Sequence, residues 1–390
     1  EEYSGRESRI TKQLRMTARS PYLVSHAQNL WNVSLFPSPL SALSVGASNT
    51  WPDLYRIRGM SFSSTVRRSD EVRPVASVYG PFDATFVVMA IAPLVVIGLT
   101  FNVSSRDRES ALQNLIVAQT PRLWKVIAVR CFVRASLVIV LMACVVNCTL
   151  LIAFGSQFDL NVAINLAIWN AIAAIYLLIW AALSLFVNSF AWSSSANGAA
   201  LLLLWLILVL IIPRTISNAV EQAVPTLPEG ELVEREQRIV DQAMKNVDEL
   251  LRRFQSEHPE IEFRPDDEQQ KALAGYLLAH SEAGKKASET IISHYGAQLQ
   301  RARYLGICNW LSPAISFRNQ SDRCSGNSEP AFIAFTVRTG EVQAEVADAF
   351  LQPSIANQEC TIETIAELPN LQESEIPKRL VNSMQSIAPT

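Results

Sequence analysis

Along the chain the mixture of apolar and polar positions changes character twice, near residues 82 and 213. Outside those limits charges recur every few residues; between them whole helix lengths pass without one. No charge lies between Asp83 and Arg106, and a second such window runs from Arg134 to Asp159. From Leu160 to Pro213 there is no Asp, Glu, Lys, Arg or His. A transmembrane helix needs about 20 mostly apolar residues to cross about 30 Å of hydrocarbon. As one rod the third window would reach roughly 80 Å at about 1.5 Å per residue, so it must fold back. The polar run from Asn188 to Ser195 is where it turns. The pattern predicts four spans, at about 84–103, 130–154, 162–187 and 197–213. Soluble helices seldom stay apolar on every face this long, which argues against a buried soluble core.

Composition sharpens this. Of 390 residues 49% are hydrophobic and 18% charged, below the roughly 25% charged usual in soluble domains. Residues 1–81 carry net +4, residues 82–213 net +2 and residues 214–390 net −9. The overall charge of −3 therefore describes no single surface, and no basic face points to nucleic acid. Arg106, Arg108, Arg122 and Lys125 lie in the loop after the first span, with Arg130 and Arg134 on the entering turn of the second; residues 155–159 hold no base. Basic residues near short loops mark the cytoplasmic side. This orients loop 104–129 to the cytoplasm and the segments 1–82 and 214–390 outwards, around a membrane domain at 83–213. Because 1–82 must cross the bilayer without a leader of its own, a further span is expected before Glu1, and another after Thr390, six in all. The fold class is mainly α: a polytopic helical membrane protein with a large helical extracytoplasmic domain.

That outer domain reads as a helical hairpin. Thr226 and Glu229 match a capping box, with Pro228 inside the first turn. Val233, Val240, Val247 and Phe254 recur every seven residues until His258-Pro259 ends the helix. A second helix starts near Asp266 and carries Leu273, Leu277, Ile291 and Tyr295 towards Leu311-Ser312-Pro313; a shorter one is expected around 330–351. Ordinary packing accounts for these stripes better than a recognition coiled coil. Cys131, Cys144 and Cys148 belong with the second span as small apolar residues. Cys308, Cys324 and Cys360 lie outside, where disulfides persist; Cys308–Cys324 is preferred on proximity, although three pairings are open.

Catalytic signatures are missing. The four histidines form no HExxH, and there is no CxxC or GxSxG. Gly284-Lys285-Lys286 is not a Walker A loop: Ala279 stands where its first glycine belongs, and Lys286 where Ser or Thr would bind magnesium. No ATP, metal or other cofactor is expected on this chain. Within the spans Asn147, Asn165 and Asn170 either bond between helices or line a translocation path, packing being favoured. Ala163, Ala167 and Ala171 offer close helix approach in the third span, and Pro93 is expected to kink the first.

Residues 104–124 carry Leu112, Leu115, Ile116 and Ala118-Gln119 at helical spacing. Such a stripe suits either an interfacial helix on lipid or a coupling helix that docks into an ATPase. Asp107-Arg108-Glu109-Ser110, followed by Leu115-Ile116-Val117-Ala118-Gln119, resembles the coupling loop of ABC-2 type transporter permeases. More closely, the chain resembles the ABC-2 permeases that contain a DUF3526 region. The likeness extends through Phe36-Pro37-Ser38-Pro39-Leu40-Ser41, Gly80-Pro81-Phe82-Asp83, Pro93-Leu94, Leu311-Ser312-Pro313-Ala314 and Leu368-Pro369. It departs at Ala111-Leu112, where Gly-Thr is frequent, and at Thr120, where Pro is usual.

The resemblance implies a subunit of the bacterial cytoplasmic (inner) membrane with large periplasmic or extracellular domains. It pairs with a second permease subunit and with a separate ATP-binding subunit that holds ATP and magnesium. It further implies that Asp107, Arg108, Glu109, Leu115, Ile116 and Gln119 transmit the ATPase stroke. Arg122 and Lys125 serve either that contact or lipid headgroups. Two other readings stay open: a membrane-anchored outer scaffold for a protein partner, and a permease-like subunit that moves its outer domain without transporting solute.

Overall fold

The computed structural model describes residues 31–35, 38–49, 51, 54–57, 82–120, 122–227, 229–259 and 268–340. Helix α1 (Ala84–Glu109) leads through the short α2 (Leu112–Gln119) into α3 (Leu123–Phe154). After a tight turn α4 (Leu160–Asn188) runs back to α5 (Ser194–Ala223). Four helices, α1, α3, α4 and α5, are long and apolar enough to cross a membrane. Then come α6 (Glu229–Lys245), α7 (Val247–Glu257), the long α8 (Glu268–Ile307) and α9 (Pro313–Ser325), and residues 329–340 are again helical. A two-stranded antiparallel ribbon pairs β1 (Trp31–Ser34) with β2 (Leu54–Ile57), Trp31 facing Ile57. The fold is a mainly α membrane protein.

Helix limits differ from the hydropathy pattern where side chains intervene. Asp83 starts α1: one carboxylate oxygen accepts the Phe86 N–H at 2.7 Å and the other the Val45 N–H at 2.8 Å. Helix α3 begins at Leu123 rather than near 130, so Lys125, Arg130 and Arg134 ride inside it. Helix α5 does not stop at Pro213 but continues to Ala223. The outer helix expected from Glu229 to His258 is broken at Asn246 into α6 and α7. The expected capping box of Thr226 and Glu229 needs the Glu229 side chain, which lies outside the described residues, as do Pro228, Cys360 and residues 341–351.

Both prolines inside the spans sit beside a π turn. In α1 the Ala92 N–H bonds back to Val87, five residues away, and in α5 the Ile212 N–H reaches Ile207 in the same way. The next donor in each ladder is a proline, which has none. An unmet carbonyl in hydrocarbon costs several kcal/mol, so each needs a donor from elsewhere. In α1 the Tyr176 hydroxyl donates to Met89 O at 2.7 Å, and the Trp205 indole N–H donates to Ala90 O at 3.1 Å. In α5 the Ser312 hydroxyl donates to Leu208 O at 2.6 Å.

Helix α4 is central. Its buried face repeats every three or four residues: Leu166, Trp169, Ala173, Tyr176, Leu177, Trp180, Ala181 and Ser184. The small residues that admit neighbours are thus Ala173, Ala181 and Ser184; Ala163, Ala167 and Ala171, expected to do so, lie on the exposed face. Within the most apolar windows, 44% of α1 and 39% of α4 are buried, against 11% of α3 and α5. The last two are therefore peripheral. The hairpin forms as expected, with Ala243, Ala279 and Ala283 packed under Ile239, Val240, Val247 and Leu250. The side chains of Val233, Leu273 and Ile291 lie outside the described residues.

A polar junction ties residues 38–49 to the start of α1 and the end of α9. Ser44 donates to the Asp322 carboxylate, Asn327 Nδ2 donates to Ser44 O at 2.6 Å, and Thr85 N–H donates to Leu43 O at 2.9 Å. Gly326 closes α9 at φ 81°, a left-handed position that suits glycine. Burial pushes the Asp322 carboxyl above the ordinary aspartate range, aided by nearby Asp83 and opposed by Ser44 and Arg318.

Two outcomes follow from these contacts. Tyr176→Phe leaves Met89 O without its donor and should destabilise the protein by about 1 kcal/mol in micelles, less than the full transfer cost because the unfolded chain in the micelle also finds partners. On a Pro93→Ala background, where an N–H returns to the ladder, most of that loss should vanish; a thermal-melt double-mutant cycle reads the coupling. For Asp322, a raised folded pKa means that its unfavourable charge develops as pH rises through the unfolded value of about 3.9 and is complete above the folded one. Asp322→Asn keeps an acceptor for Ser44 and removes the charge. It should melt at or above wild type at pH 7, and the difference should close as pH falls below about 4.

Candidate functional site

At one end of the bundle the α1–α2–α3 connection meets the 189–193 turn between α4 and α5. Glu109 closes the gap: Oε1 accepts the Ser194 N–H at 2.7 Å and Oε2 accepts the Ser194 hydroxyl at 2.8 Å. A carboxylate there complements the free N–H groups and positive end of α5. Ser193 adds an ordinary cap, its hydroxyl accepting the Ala196 N–H at 3.3 Å. Arg108 Nη2 donates to Trp192 O at 2.6 Å, and Arg130 pairs with Asp107 at 2.5 Å. The charged half of the expected coupling set is therefore turned onto its own chain.

The apolar half is turned outward. Leu115 is 58% exposed, Leu112 and Val117 are 50% exposed, Gln119 is exposed, and Ile116 is half-buried. The hinge between the two halves is Ala111, at φ 58° and ψ 7°. A left-handed alanine costs roughly 1–2 kcal/mol, a cost that glycine would not carry. A second left-handed alanine, Ala191 at φ 60°, shapes the opposing turn.

Behind the loop lies a buried polar knot, of which the sequence pattern shows only the polar run from Asn188 to Ser195. The Thr100 and Ser184 hydroxyls meet at 2.8 Å. Asn188, 3% exposed, uses its whole amide: Nδ2 donates to Ser184 O and Thr100 O, and Oδ1 accepts from Ser104 N–H and Asn197 Nδ2. Ser105 and Ser194 hydroxyls meet at 2.8 Å beside it. The readable signal was spacing. Thr100 with Ser104 and Ser184 with Asn188 are polar pairs four residues apart, so each pair presents one face of its helix.

The other expected residues are not gathered here. Asn147 and Asn170 bond to each other, at 3.0 Å for Asn170 Nδ2 to Asn147 Oδ1, and so join α3 to α4; Asn165 sits on an exposed face. Cys308 and Cys324 are free thiols and not the expected pair. Asn309 bonds Asn319 at 2.6 Å, which holds Cys308 over the middle of α9, while Cys324 packs against the main apolar cluster. Among the described residues no three His, Cys, Asp or Glu side chains converge as a metal would require.

One domain family, described as a domain of unknown function (DUF3526), matches residues 230–372, which takes in nearly all of α6 and the whole of α7 to α9. No curated protein matches the chain, and no solved structure matches it.

Asn188→Ala should test the knot. It strands buried groups on three elements and should lower unfolding free energy by about 2 kcal/mol. An unchanged melt would show that the amide is dispensable.

Proposed function

We propose that this chain is the membrane subunit of an ABC-2 type transporter, working as an exporter. Residues 104–124 couple it to a separate ATP-binding subunit in the cytoplasm, and residues 1–82 and 214–390 face outwards. ATP and magnesium belong to that partner, and a second permease subunit completes the assembly. One observation carries the reading: α2 presents exposed Leu112, Leu115 and Val117, while Glu109 just before it is bonded through both oxygens to the start of α5. A partner that grips α2 thereby pulls on α5 and, through Asn188, on α4. The basic residues flanking α2 agree with a cytoplasmic placement of this end.

A second reading has its own support. At the far end of α5, Arg301 of α8 donates to Val224 O at 2.6 Å and to Glu221 O at 3.4 Å. A stroke received at Ser194 would thus also reach the outer hairpin, as a subunit that moves its outer domain instead of passing a solute requires.

The test is purification from native membranes. An ATP-binding protein should accompany the wild-type chain, and Leu115→Asp should weaken that association by about tenfold or more, equivalent to about 1.4 kcal/mol. Glu109→Lys should retain the partner but lower coupled activity per ATP hydrolysed. Absence of any ATP-binding partner would end the transporter reading, and wild-type coupling in Glu109→Lys would end the role given to that residue.

A further inference from the structure

The connection between α8 and α9 lies deeper than an outer domain would need. Ser312, fully buried, donates to Leu208 O at 2.6 Å. Leu208 is 14 residues past Ser194 and 6 before Arg214, the first charge on α5. Those intervals are about 21 Å and about 9 Å of helix. Together they fill the roughly 30 Å of a hydrocarbon core, which puts Leu208 about 9 Å inside the boundary on the hairpin side.

A second ruler agrees. Met89 lies 6 residues into the bundle from Asp83 and accepts the Tyr176 hydroxyl at 2.7 Å. The Tyr176 ring stacks on Phe317 of α9 with centroids 5.0 Å apart. Phe317, five residues past Ser312, therefore also lies below the boundary by this independent route. Its far end climbs out: Asp322 bonds Ser44, and the adjoining Val45 N–H bonds Asp83, at the boundary itself. From Ser312 to Asp322 the helix uses about 15 Å of length for about 9 Å of depth, so it runs obliquely.

At the deep end the uncovered side chains are apolar. Trp310 is 82% exposed, Ile307 64% and Leu311 47%, with Tyr304, at 41%, nearer the boundary. Irregular backbone at membrane depth is tolerated where protein meets its polar groups. Here Asn319 Nδ2 donates to Asn309 Oδ1, and Ser312 Oγ both accepts the Ala314 N–H and donates to Leu208 O. Exposed Arg318 lies further up the slope, where a long side chain can reach the headgroups. On α5, Leu206, Leu210 and Ile211, all within three residues of Leu208, are themselves exposed.

We propose that Ile307, Trp310 and Leu311 form a membrane-dipping edge whose partner is the acyl chains of the hairpin-side leaflet. The hairpin is thus held to the bilayer by its own foot as well as by the end of α5. This inference needs the bundle to sit in a membrane and does not depend on a transport function or an ATPase.

The experiment uses the full chain in phosphatidylcholine vesicles with brominated acyl chains, comparing wild type with Trp310→Phe. The emission lost on substitution isolates Trp310. It should be blue-shifted and strongly quenched by the brominated chains. Trp310 emission that brominated chains leave unquenched, whether because the ring is in water or against a second copy of the chain, overturns the proposal. Should that emission be too weak to separate, Trp310→Asp decides. At so exposed a position it would leave the melting temperature in vesicles unchanged if the edge stood in water, which refutes the proposal, and should lower it clearly if the edge lies in hydrocarbon.

Discussion

Inside a bilayer no water can take up a backbone group that lacks a partner, and this constraint organises the whole bundle. Two prolines, Pro93 and Pro213, interrupt the ladders of α1 and α5 beside π turns. At each defect a side chain from a different element bonds a carbonyl of the interrupted stretch, so each defect becomes a tie. Tyr176 binds α4 to α1, Trp205 binds α5 to α1, and Ser312 binds the foot of α9 to α5. Apolar helices in lipid otherwise have little to fix their depth or rotation beyond close packing. The bundle's register is set where its hydrogen bonding is broken.

A second level of ties lies nearer the loop end. Ser184 and Asn188 are two and three turns along α4 from Tyr176, about 12 Å and about 18 Å away. Between the two levels α4 meets its neighbours through Trp180, Ala181 and Leu177, with Cys131 Sγ donating to Ala181 O at 3.3 Å. Polar ties at two depths with apolar packing between them make α1 and α4 a rigid pair. Helices α3 and α5, mostly uncovered, are tied to that pair from one side, α3 by Asn147–Asn170, by Cys131, by Arg130 on Asp107 and by Arg134, which donates to Leu99 O at 2.6 Å.

The four spans were legible in the sequence because absence of charge over a helix length has one cheap physical explanation. Their ends were less so: Lys125, Arg130 and Arg134 interrupt the apolar run but not the helix, and Pro213 ends the apolar run while the helix continues. Nothing local to Pro213 announces that Ser312, about a hundred residues later, will meet its orphaned carbonyl. The inward face of α4 was illegible for a related reason: where every residue is apolar, hydrophobic periodicity carries no direction. Ala163, Ala167 and Ala171 had regular spacing yet face outward, whereas the polar minority of Tyr176, Ser184 and Asn188 marks the true inner face. The loop was half legible. Its apolar stripe pointed to an exposed face on α2, but Asp107, Arg108 and Glu109 are charges whose partners, Arg130, Trp192 and Ser194, lie on elements the stripe cannot reveal.

Helix α5 gathers these threads. A carboxylate holds its N-terminus through Glu109 and a guanidinium holds its C-terminus through Arg301, each the sign that a helix end favours. Between them is the π turn at 206–211, and such turns are where long helices bend. Leu208 O lies within that turn, and Ser312 fastens it to the front of α9, whose Phe317 leans on Tyr176. With that bond made, the two halves of α5 are referenced to α4 as well as to each other. With it broken, Pro213 leaves the turn with one restraint fewer, and the halves are free to pivot about it. The Ser312 hydroxyl thus adds a restraint from the hairpin part of the chain at the turn that joins the loop end of α5 to its hairpin end.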